Sequence, residues 1–238
     1  MISIITVVYN DQKGLALTLN SLKDMDSDKY EHVIIDGGSS DGTLEIIEGY
    51  SFINKKVISE KDEGIYDAMN KGISIASQKY IVFLNAGDLA TNDFFLAPEI
   101  IQSNKKDFYY SGLIFSKRKK RFYMPKKLNQ INEYLQKMPF PHPGLFVKRS
   151  VFKEIGKFDL KKKRTADHEW VVRLMRSEKE GELIARYFII FDLSGFSLSY
   201  NSIIEMFHTA RNYGRNLPKA IVYLIYGFLV VSFYKFYI

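Results

Sequence analysis

Two runs of apolar residues that each end in a polar, glycine-containing turn constrain the fold of this chain more than any other feature. Residues 80–84 lead into the turn NAGD at 85–88, and residues 33–35 lead into the turn DGGSSDG at 36–42. Buried parallel strands are continuous apolar runs, and open α/β sheets bind ligands just beyond the carboxyl ends of such strands. The two runs therefore predict one crevice lined by carboxylates, which suits a divalent cation and the hydroxyls of a nucleotide or sugar.

Strand and helix patterns alternate through the first hundred residues. Strands are predicted at residues 2–8, 31–36, 56–59 and 80–84. Helices are predicted at residues 13–22, from residue 43 onward, and at 65–76, where apolar side chains recur at helical spacing. Four such repeats predict an α/β fold with a parallel sheet and right-handed crossovers.

The pattern is less regular after residue 100. A hairpin is predicted from residues 108–115 and 121–124, and the three prolines at 139–144 predict a rigid loop. A strand is expected at residues 144–147, and helices at 150–155, 165–176 and 202–213.

The distribution of charge separates the chain into an acidic and a basic part. Residues 1–100 hold 8 Lys and Arg against 16 Asp and Glu, a net charge of −8, and residues 101–238 carry +15, which gives +7 in all. A basic part of this size predicts an anionic partner, for which nucleic acid, acidic lipid and pyrophosphate all qualify, although a solvated basic face explains it as well. With no cysteine, the chain has no disulfide, catalytic thiolate or Cys-ligated metal.

Two acidic motifs in the first part have both a functional and a structural interpretation. Asp88 and Asn85 are candidates for binding Mg²⁺ or Mn²⁺, which needs only one or two protein carboxylates, but an Asx turn is the simpler explanation. Asp36 is placed to contact a nucleobase or ribose, whereas Asp41 is expected to cap the following helix. Asn70 is a poor helix former within the third predicted helix, which indicates close packing or ligand contact unless it is merely tolerated.

A further motif opens a helix in the second part, at residues 166–170. Asp167 is a candidate general base with His168 or Glu169 as an orienting group, although a helix cap is the commoner role of such an Asp. The His-x-Glu spacing lacks the Cys pair or second nearby His of a zinc site.

Six segments, in this order, resemble the inverting nucleotide-sugar glycosyltransferases of family 2. They are TVVYN at 6–10, IDGGSSDGT at 35–43, residues 64–72, LNAGD at 84–88, GKFD at 156–159 and ADHE at 166–169. The resemblance covers roughly residues 1–175 and is closest to bacterial enzymes that build O-antigen, capsule or exopolysaccharide repeat units. It implies the GT-A fold, a mostly parallel Rossmann-like sheet flanked by helices, here with a C-terminal helical appendage.

The resemblance also implies a site for a nucleotide sugar, with a UDP-linked donor. The matching positions are Thr6, Tyr9, Asn10, Asp36, Asp62, Asn70, Asn85 and Asp88. Tyr9, Asn10 and Asp36 are expected to hold the base and ribose, and Asp88 to bind Mn²⁺ or Mg²⁺. Ala86 stands where the family has the first Asp of its metal-binding Asp-x-Asp element.

On the acceptor side, Asp167 matches the family's catalytic base, although Ala166 replaces the Glu that precedes it. His142, Glu169 and Arg211 are expected near the acceptor or the leaving diphosphate, and a loop histidine without a role is the alternative for His142. The implied reaction transfers a hexosyl or N-acetylhexosaminyl group, with inversion, to a hydroxyl of a lipid-pyrophosphate-linked glycan. A carboxylate base suffices for it, and no covalent nucleophile is needed.

These expectations divide the chain into three regions. Residues 1–100 form the nucleotide-sugar half, residues 101–200 the acceptor-binding and catalytic half, and residues 201–238 a helical segment that associates with a membrane. A catalytically inactive GT-A-like scaffold is one alternative, which the presence of Asp36, Asp88 and Asp167 disfavours. A nucleic-acid-binding protein is another, but it leaves the acidic strand ends without a purpose.

The C-terminal stretch at residues 220–234 is apolar or aromatic except for Gly227 and Ser232. It is shorter than a bilayer span and follows Arg211, Arg215 and Lys219, which predicts peripheral attachment to the cytoplasmic face of the plasma membrane. The chain begins with a strand-like run and not with the basic region of a signal peptide, as expected for a cytoplasmic protein. A buried core helix or a contact within a homo-oligomer is the competing explanation.

Overall fold

A computed structural model describes residues 1–116, 121–125, 135, 138–192 and 199–237. Its nine described strands are β1 (Ile2–Val8), β2 (Tyr30–Asp36), β3 (Lys55–Ser59), β4 (Tyr80–Phe83), β5 (Leu89–Ala90), β6 (Phe108–Ser116), β7 (Arg121–Tyr123), β8 (Leu145–Lys148) and β9 (Gly181–Asp192). Its eight described helices are α1 (Gln12–Ser21), α2 (Thr43–Gly49), α3 (Ile65–Ile75), α4 (Ala97–Asn104), α5 (Arg149–Glu154), α6 (Ala166–Arg176), α7 (Tyr200–Asn212) and α8 (Leu217–Tyr237). The described strands form one sheet in the order β3-β2-β1-β4-β8-β6-β9-β5, with β7 on β6.

The first half of the sheet is parallel, as the sequence predicted. Strand β1 pairs in parallel with β2 and β4, and β2 pairs in parallel with β3. Every residue of β1, β2 and β4 is buried, because helices cover both faces of the sheet. The predicted ends of these elements agree with the observed ones to within one residue.

The second half of the sheet is mixed. Strand β8 is antiparallel to β4 and β6, the predicted hairpin of β6 and β7 is present, and β6 runs parallel to β9. The twelve-residue β9 is absent from the predicted elements. Its pairing with β6 shifts register on both sides of Gly112, so its inward and outward residues do not follow the strict alternation by which a strand is recognised.

Packing accounts for Asn70 and Gly72, two poor helix formers inside α3. A Cβ atom at Gly72 would lie 2.5 Å from Ile5 Cγ2, so only glycine lets α3 approach β1 this closely. The Asn70 amide donates to Phe158 O (2.9 Å), and its carbonyl oxygen accepts from Phe158 N (3.0 Å). Both residues therefore fix α3 to its neighbours.

The two C-terminal helices form a hairpin that is bonded to the start of α6. The Glu205 carboxylate on α7 accepts hydrogen bonds from the backbone N–H groups of Arg164 and Thr165 and from the Thr165 hydroxyl. Helix α8 packs on α7, with Gly227 facing Ile203. No helix in the described ranges is long and apolar enough to cross a membrane.

Candidate active site

One cleft of about 1000 Å³ lies at the carboxyl ends of β1, β4 and β9. It is bounded by α3, by the proline loop before β8, and by the start of α6. The polar and charged side chains along its wall are Tyr9, Asp11, Tyr66, Asn85, Asp88, Tyr123, His142, Lys163, Arg164, Asp167 and Asp192. The predicted crevice is therefore present, and it joins the acidic first part of the chain to the basic second part.

Asp88 and Asn85 each present a buried oxygen atom without a partner in the described part of the chain. These atoms are Asp88 Oδ2 and Asn85 Oδ1, while Asp88 Oδ1 accepts from Asp192 N at 3.0 Å. Asp88 is 3% exposed. Burial, together with the nearby Asp192 carboxylate, raises the pKa of Asp88 to about 7. A buried carboxylate in this state favours a bound cation, which would restore its charged form.

The turn that carries Asp88 depends on Gly87. Its φ of +92° lies in the left-handed region, and a Cβ atom there would also lie 3.3 Å from Asp192 Oδ2. The glycine thus lets the end of β9 approach the end of β4. As a result, the carboxylates of Asp88 and Asp192 share the same part of the cleft.

Asp167 stands on the first turn of α6, on the wall of the same cleft. Its Oδ1 accepts hydrogen bonds from the Tyr66 hydroxyl and from His168 N, both at 2.8 Å. The buried His142 ring packs on Phe83 at 4.8 Å between centroids. Burial lowers the pKa of His142, which the negative charge of Asp167 partly offsets, so the ring is neutral at pH 7.

The turn after β2 is held together by its own polar groups. The Asp36 carboxylate is buried and accepts from Gly38 N (3.1 Å), Ser39 N (3.1 Å) and the Ser59 hydroxyl (2.7 Å). Asn10, with a φ of +48°, accepts from Ser40 N and so joins this turn to the end of β1. Of the three residues expected to hold the base and ribose, Tyr9 lies on the cleft wall, and Asn10 and Asp36 do not.

Three other predicted donor-site residues do not line the wall either. Thr6 is fully buried, donates to Leu84 O at 2.7 Å and lies 2.9 Å from His32 Nε2. Asn70 is occupied by the backbone of Phe158, and Asp62 accepts from Gly64 N at 2.8 Å. The structure therefore shows them supporting the strand ends and α3, and it does not bring them into the cleft.

Two residues expected near the acceptor lie elsewhere. The buried Glu169 carboxylate accepts from Arg173 Nε and Nη2 and from the Tyr213 hydroxyl, and so links α6 to α7. Positions 167 and 169 are about 200° apart around a helix, so only Asp167 can face the cleft. Arg211 is exposed on α7 and donates to Arg215 O. Neither residue lines the cleft, so contact of Glu169 or Arg211 with an acceptor stays a prediction.

Sequence reasoning missed six polar or charged residues on the cleft wall: Asp11, Tyr66, Tyr123, Lys163, Arg164 and Asp192. Asp192 ends an apolar run, LIARYFIIFD at 183–192, and so carries the same strand-end signal as Asp36 and Asp88. Lys163 and Arg164 directly precede the Asp167 motif. No local pattern marks Tyr66, because its partner is 101 residues further along the chain.

The order of these strand ends and the sequence motifs on them agree with one family model, that of glycosyl transferase family 2, which matches residues 3–156. The chain belongs to glycosyl transferase family 2. It is a glycosyltransferase, as the family resemblance of its motifs implied.

Curated relatives of this family 2 glycosyltransferase include bacterial enzymes. The chain is 28% identical over 213 residues to the PGL/p-HBAD biosynthesis glycosyltransferase of Mycobacterium bovis (strain BCG / Pasteur 1173P2), covering 86% of this chain and 81% of that protein. It is 30% identical over 182 residues to an uncharacterized glycosyltransferase of Mycobacterium tuberculosis (strain ATCC 25618 / H37Rv), covering 72% of this chain and 68% of that protein.

Solved structures show the same fold. Residues 1–349 of S. aureus TarS in complex with UDP-GlcNAc match with a TM-score of 0.70 at 18% identity, over 94% of this chain and 70% of that chain. The mannosyltransferase PcManGT from Pyrobaculum calidifontis, in complex with GDP-Man and Mn²⁺, matches with a TM-score of 0.67 at 15% identity, over 97% and 69%. The family 2 chain therefore has the expected GT-A fold.

Proposed function

We propose that the protein transfers a sugar from a UDP-sugar, with inversion, to a hydroxyl of a lipid-pyrophosphate-linked glycan in bacterial surface polysaccharide synthesis. The observation that carries this proposal is the presence of two kinds of carboxylate in one cleft. Asp88 has an oxygen atom without a partner in the described residues, and Asp167 is hydrogen-bonded and partly exposed. The first suits a cation that binds a diphosphate, and the second suits a general base.

The residues at the end of β4 fit a Mn²⁺ or Mg²⁺ ion. Asp88 Oδ2 and Asn85 Oδ1 are the oxygen ligands that hard cations prefer, and both lack a partner within the described ranges. Those ranges hold no cluster of three or more His, Cys, Asp or Glu side chains, so most ligands would come from the substrate diphosphate and water. Such an ion, when bound, stabilises the negative charge that develops on the leaving diphosphate.

Asp167 acts as the base in this proposal. It takes the proton of the acceptor hydroxyl while that oxygen attacks the anomeric carbon on the face opposite the diphosphate. The bond from the anomeric carbon to the diphosphate oxygen breaks, and UDP leaves with the bonding electrons. One displacement inverts the configuration and leaves the acidic proton on Asp167.

Residues 1–100 hold the donor, with Tyr9 on the cleft wall and Asn10 and Asp36 shaping the turns beneath it. Residues 101–200 hold the acceptor and the base. Lys163 and Arg164 are exposed on the cleft wall beside the start of α6. Two positive charges at this place complement the pyrophosphate of the proposed acceptor, whereas the donor end of the cleft carries carboxylates.

The α7–α8 hairpin would hold the enzyme at the inner face of the plasma membrane. Val222, Tyr226 and Leu229 of α8 are 66%, 64% and 64% exposed. Residues 206–238 contain no Asp or Glu and four Lys or Arg, so the charge around this apolar face complements an anionic lipid surface.

Release of UDP from a panel of UDP-sugars, with lipid-pyrophosphate acceptors and with and without Mn²⁺, tests the reaction. Transfer should require acceptor and metal ion, and NMR of the product should show the inverted anomer. Asp167→Asn should keep donor affinity and lower the transfer rate by about two to four orders of magnitude. Donor binding without transfer in any combination would support the inactive scaffold instead.

Sedimentation with vesicles tests the membrane proposal. The variant Val222→Ser, Tyr226→Ser, Leu229→Ser should lose binding to phosphatidylglycerol vesicles while its melting temperature stays unchanged. Phosphatidylcholine vesicles are the control for charge. A fall in melting temperature, or a change from dimer to monomer, would favour a packed or self-associating helix.

A further inference from the structure

The hydrogen bonds to Asp167 are distributed unevenly between its two carboxylate oxygens. Both of the bonds that the described residues donate fall on Oδ1, one from His168 N and one from the Tyr66 hydroxyl, each at 2.8 Å. Oδ2 receives no hydrogen bond from the described part of the chain. It is therefore the oxygen with a lone pair left for a substrate proton.

Tyr66 reaches Asp167 from the other half of the molecule. It is the second residue of α3, is 8% exposed, and its ring packs against Phe158 at 5.6 Å between centroids. Its hydroxyl also lies 3.0 Å from Arg164 O. The single hydroxyl proton thus lies between two acceptors on the loop and helix that carry the proposed base.

The Tyr66 hydroxyl can only act as a donor to these groups. Burial, reinforced by the charge of Asp167, raises the pKa of Tyr66 far above its ordinary value, so the hydroxyl keeps its proton throughout the working pH range. A donor that never ionises stabilises the charged form of a carboxylate and restrains its rotation about χ2.

We infer that Tyr66 is a positioning residue for the transfer reaction: through Oδ1 it orients the Asp167 carboxylate so that Oδ2 takes the acceptor proton. This inference rests on the proposed function of Asp167 as the base. The hydrogen bond from Tyr66 to Asp167 also joins the two halves of the enzyme, because α3 packs on the donor-binding strands and α6 carries the base.

The Tyr66→Phe variant tests this role, since it keeps the ring against Phe158 and removes only the hydroxyl. The turnover rate should fall about tenfold to a hundredfold, which is the scale of one hydrogen bond to a charged group. The donor KM should stay unchanged. Tyr30→Phe is the matched control, because it deletes a buried hydroxyl whose one hydrogen bond among the described residues goes to Phe94 O.

The pH profile provides a readout that a purely structural role would not move. Loss of the Tyr66 hydroxyl removes a hydrogen bond to the charged form of the base, so the acidic limb of kcat should shift to higher pH in Tyr66→Phe and stay in place in Tyr30→Phe. The titratable and charged groups around Asp167 that both variants retain are His142, Lys163, Arg164, His168 and Glu205.

A double-mutant cycle separates this inference from the proposed function. If Asp167 is the base, Asp167→Asn is nearly inactive, and adding Tyr66→Phe should cause little further loss. An active Asp167→Asn enzyme would overturn the assignment of the base. An inactive Asp167→Asn enzyme, together with a Tyr66→Phe enzyme whose rate and pH profile equal those of the wild type, would overturn the role of Tyr66 alone.

Discussion

The turn after β2 and the turn after β4 carry similar sequences, but they use their carboxylates in different ways. Asp36 is fully buried and receives three hydrogen bonds from its own turn and from Ser59. Asp88 is almost as buried, yet its Oδ2 has no partner in the described residues. A buried carboxylate that is completely bonded stabilises its loop, whereas an incompletely bonded one destabilises the fold and indicates a ligand site.

The largest expected effect is on catalysis at the second turn. Asp88→Asn keeps the volume and removes the charge, so metal-dependent transfer should fall about a thousandfold or more, or roughly 4 kcal/mol in the barrier. The free energy of unfolding without ligand should not decrease, because the Asn side chain keeps an oxygen that can accept from Asp192 N and removes a buried charge. UDP-release assays and urea unfolding measure the two quantities. If the variant kept full activity in excess chelator, Asp88 would have no role in metal binding, and the two turns would not differ in function.

The dependence of stability on pH should come next in size. The pKa of Asp88 is about 7 in the folded protein and 3.8 ordinarily, so the unfolded chain loses this proton first as the pH rises. The wild type should therefore lose stability between pH 4 and pH 7, by up to on the order of 4 kcal/mol, relative to Asp88→Asn. Urea unfolding of both proteins across this range, without metal ions, measures the difference. If the free energies of unfolding of the two proteins changed in parallel with pH, the expected difference would be contradicted. Addition of Mn²⁺ with UDP should reduce this difference.

Asp36→Asn should act on the fold instead. It leaves backbone N–H groups of the turn with a poorer acceptor, so the free energy of unfolding should fall by about 1–3 kcal/mol. UDP should bind more weakly because the turn beneath Tyr9 loosens. Thermal unfolding and titration calorimetry measure both effects, with Asp88→Asn as the matched control. Equal stability of Asp36→Asn and the wild type would show that the turn does not depend on this carboxylate.

The smallest effect is expected at Ser59, on β3. Ser59→Ala removes one of the hydrogen bonds to Asp36 and should lower the free energy of unfolding by about 1 kcal/mol. Ser103→Ala is the control, because its exposed hydroxyl donates, within the described part of the chain, to Ile100 O of the same helix α4. If the two serine variants unfold alike, the bond from Ser59 adds nothing to the turn.

The parallel half of the sheet could be predicted from the sequence because β1, β2 and β4 are continuous buried runs with a turn signal at the end of each. The motif at residues 166–169 similarly placed Asp167 at the start of a helix. Strand β9 was not predicted: Arg186 interrupts its apolar run, and the register shifts around Gly112 interrupt the alternation of its residues. The sequence could not show that Glu169 lies away from the cleft wall, because proximity to Asp167 in the sequence does not place two side chains on the same face of a helix.

The sequence by itself determined the order of strands and helices from β1 to β4, the family, and the strand-end carboxylates of Asp36 and Asp88, since all of these depend on local patterns and short motifs. Only the tertiary structure decided which of those carboxylates keep an oxygen available. Asp36 and Asp88 differ in the donors that surround them, and those donors include Ser59 and the backbone of Asp192, distant in the chain. Tyr66 meets Asp167 for the same reason: folding brings together residues about a hundred positions apart.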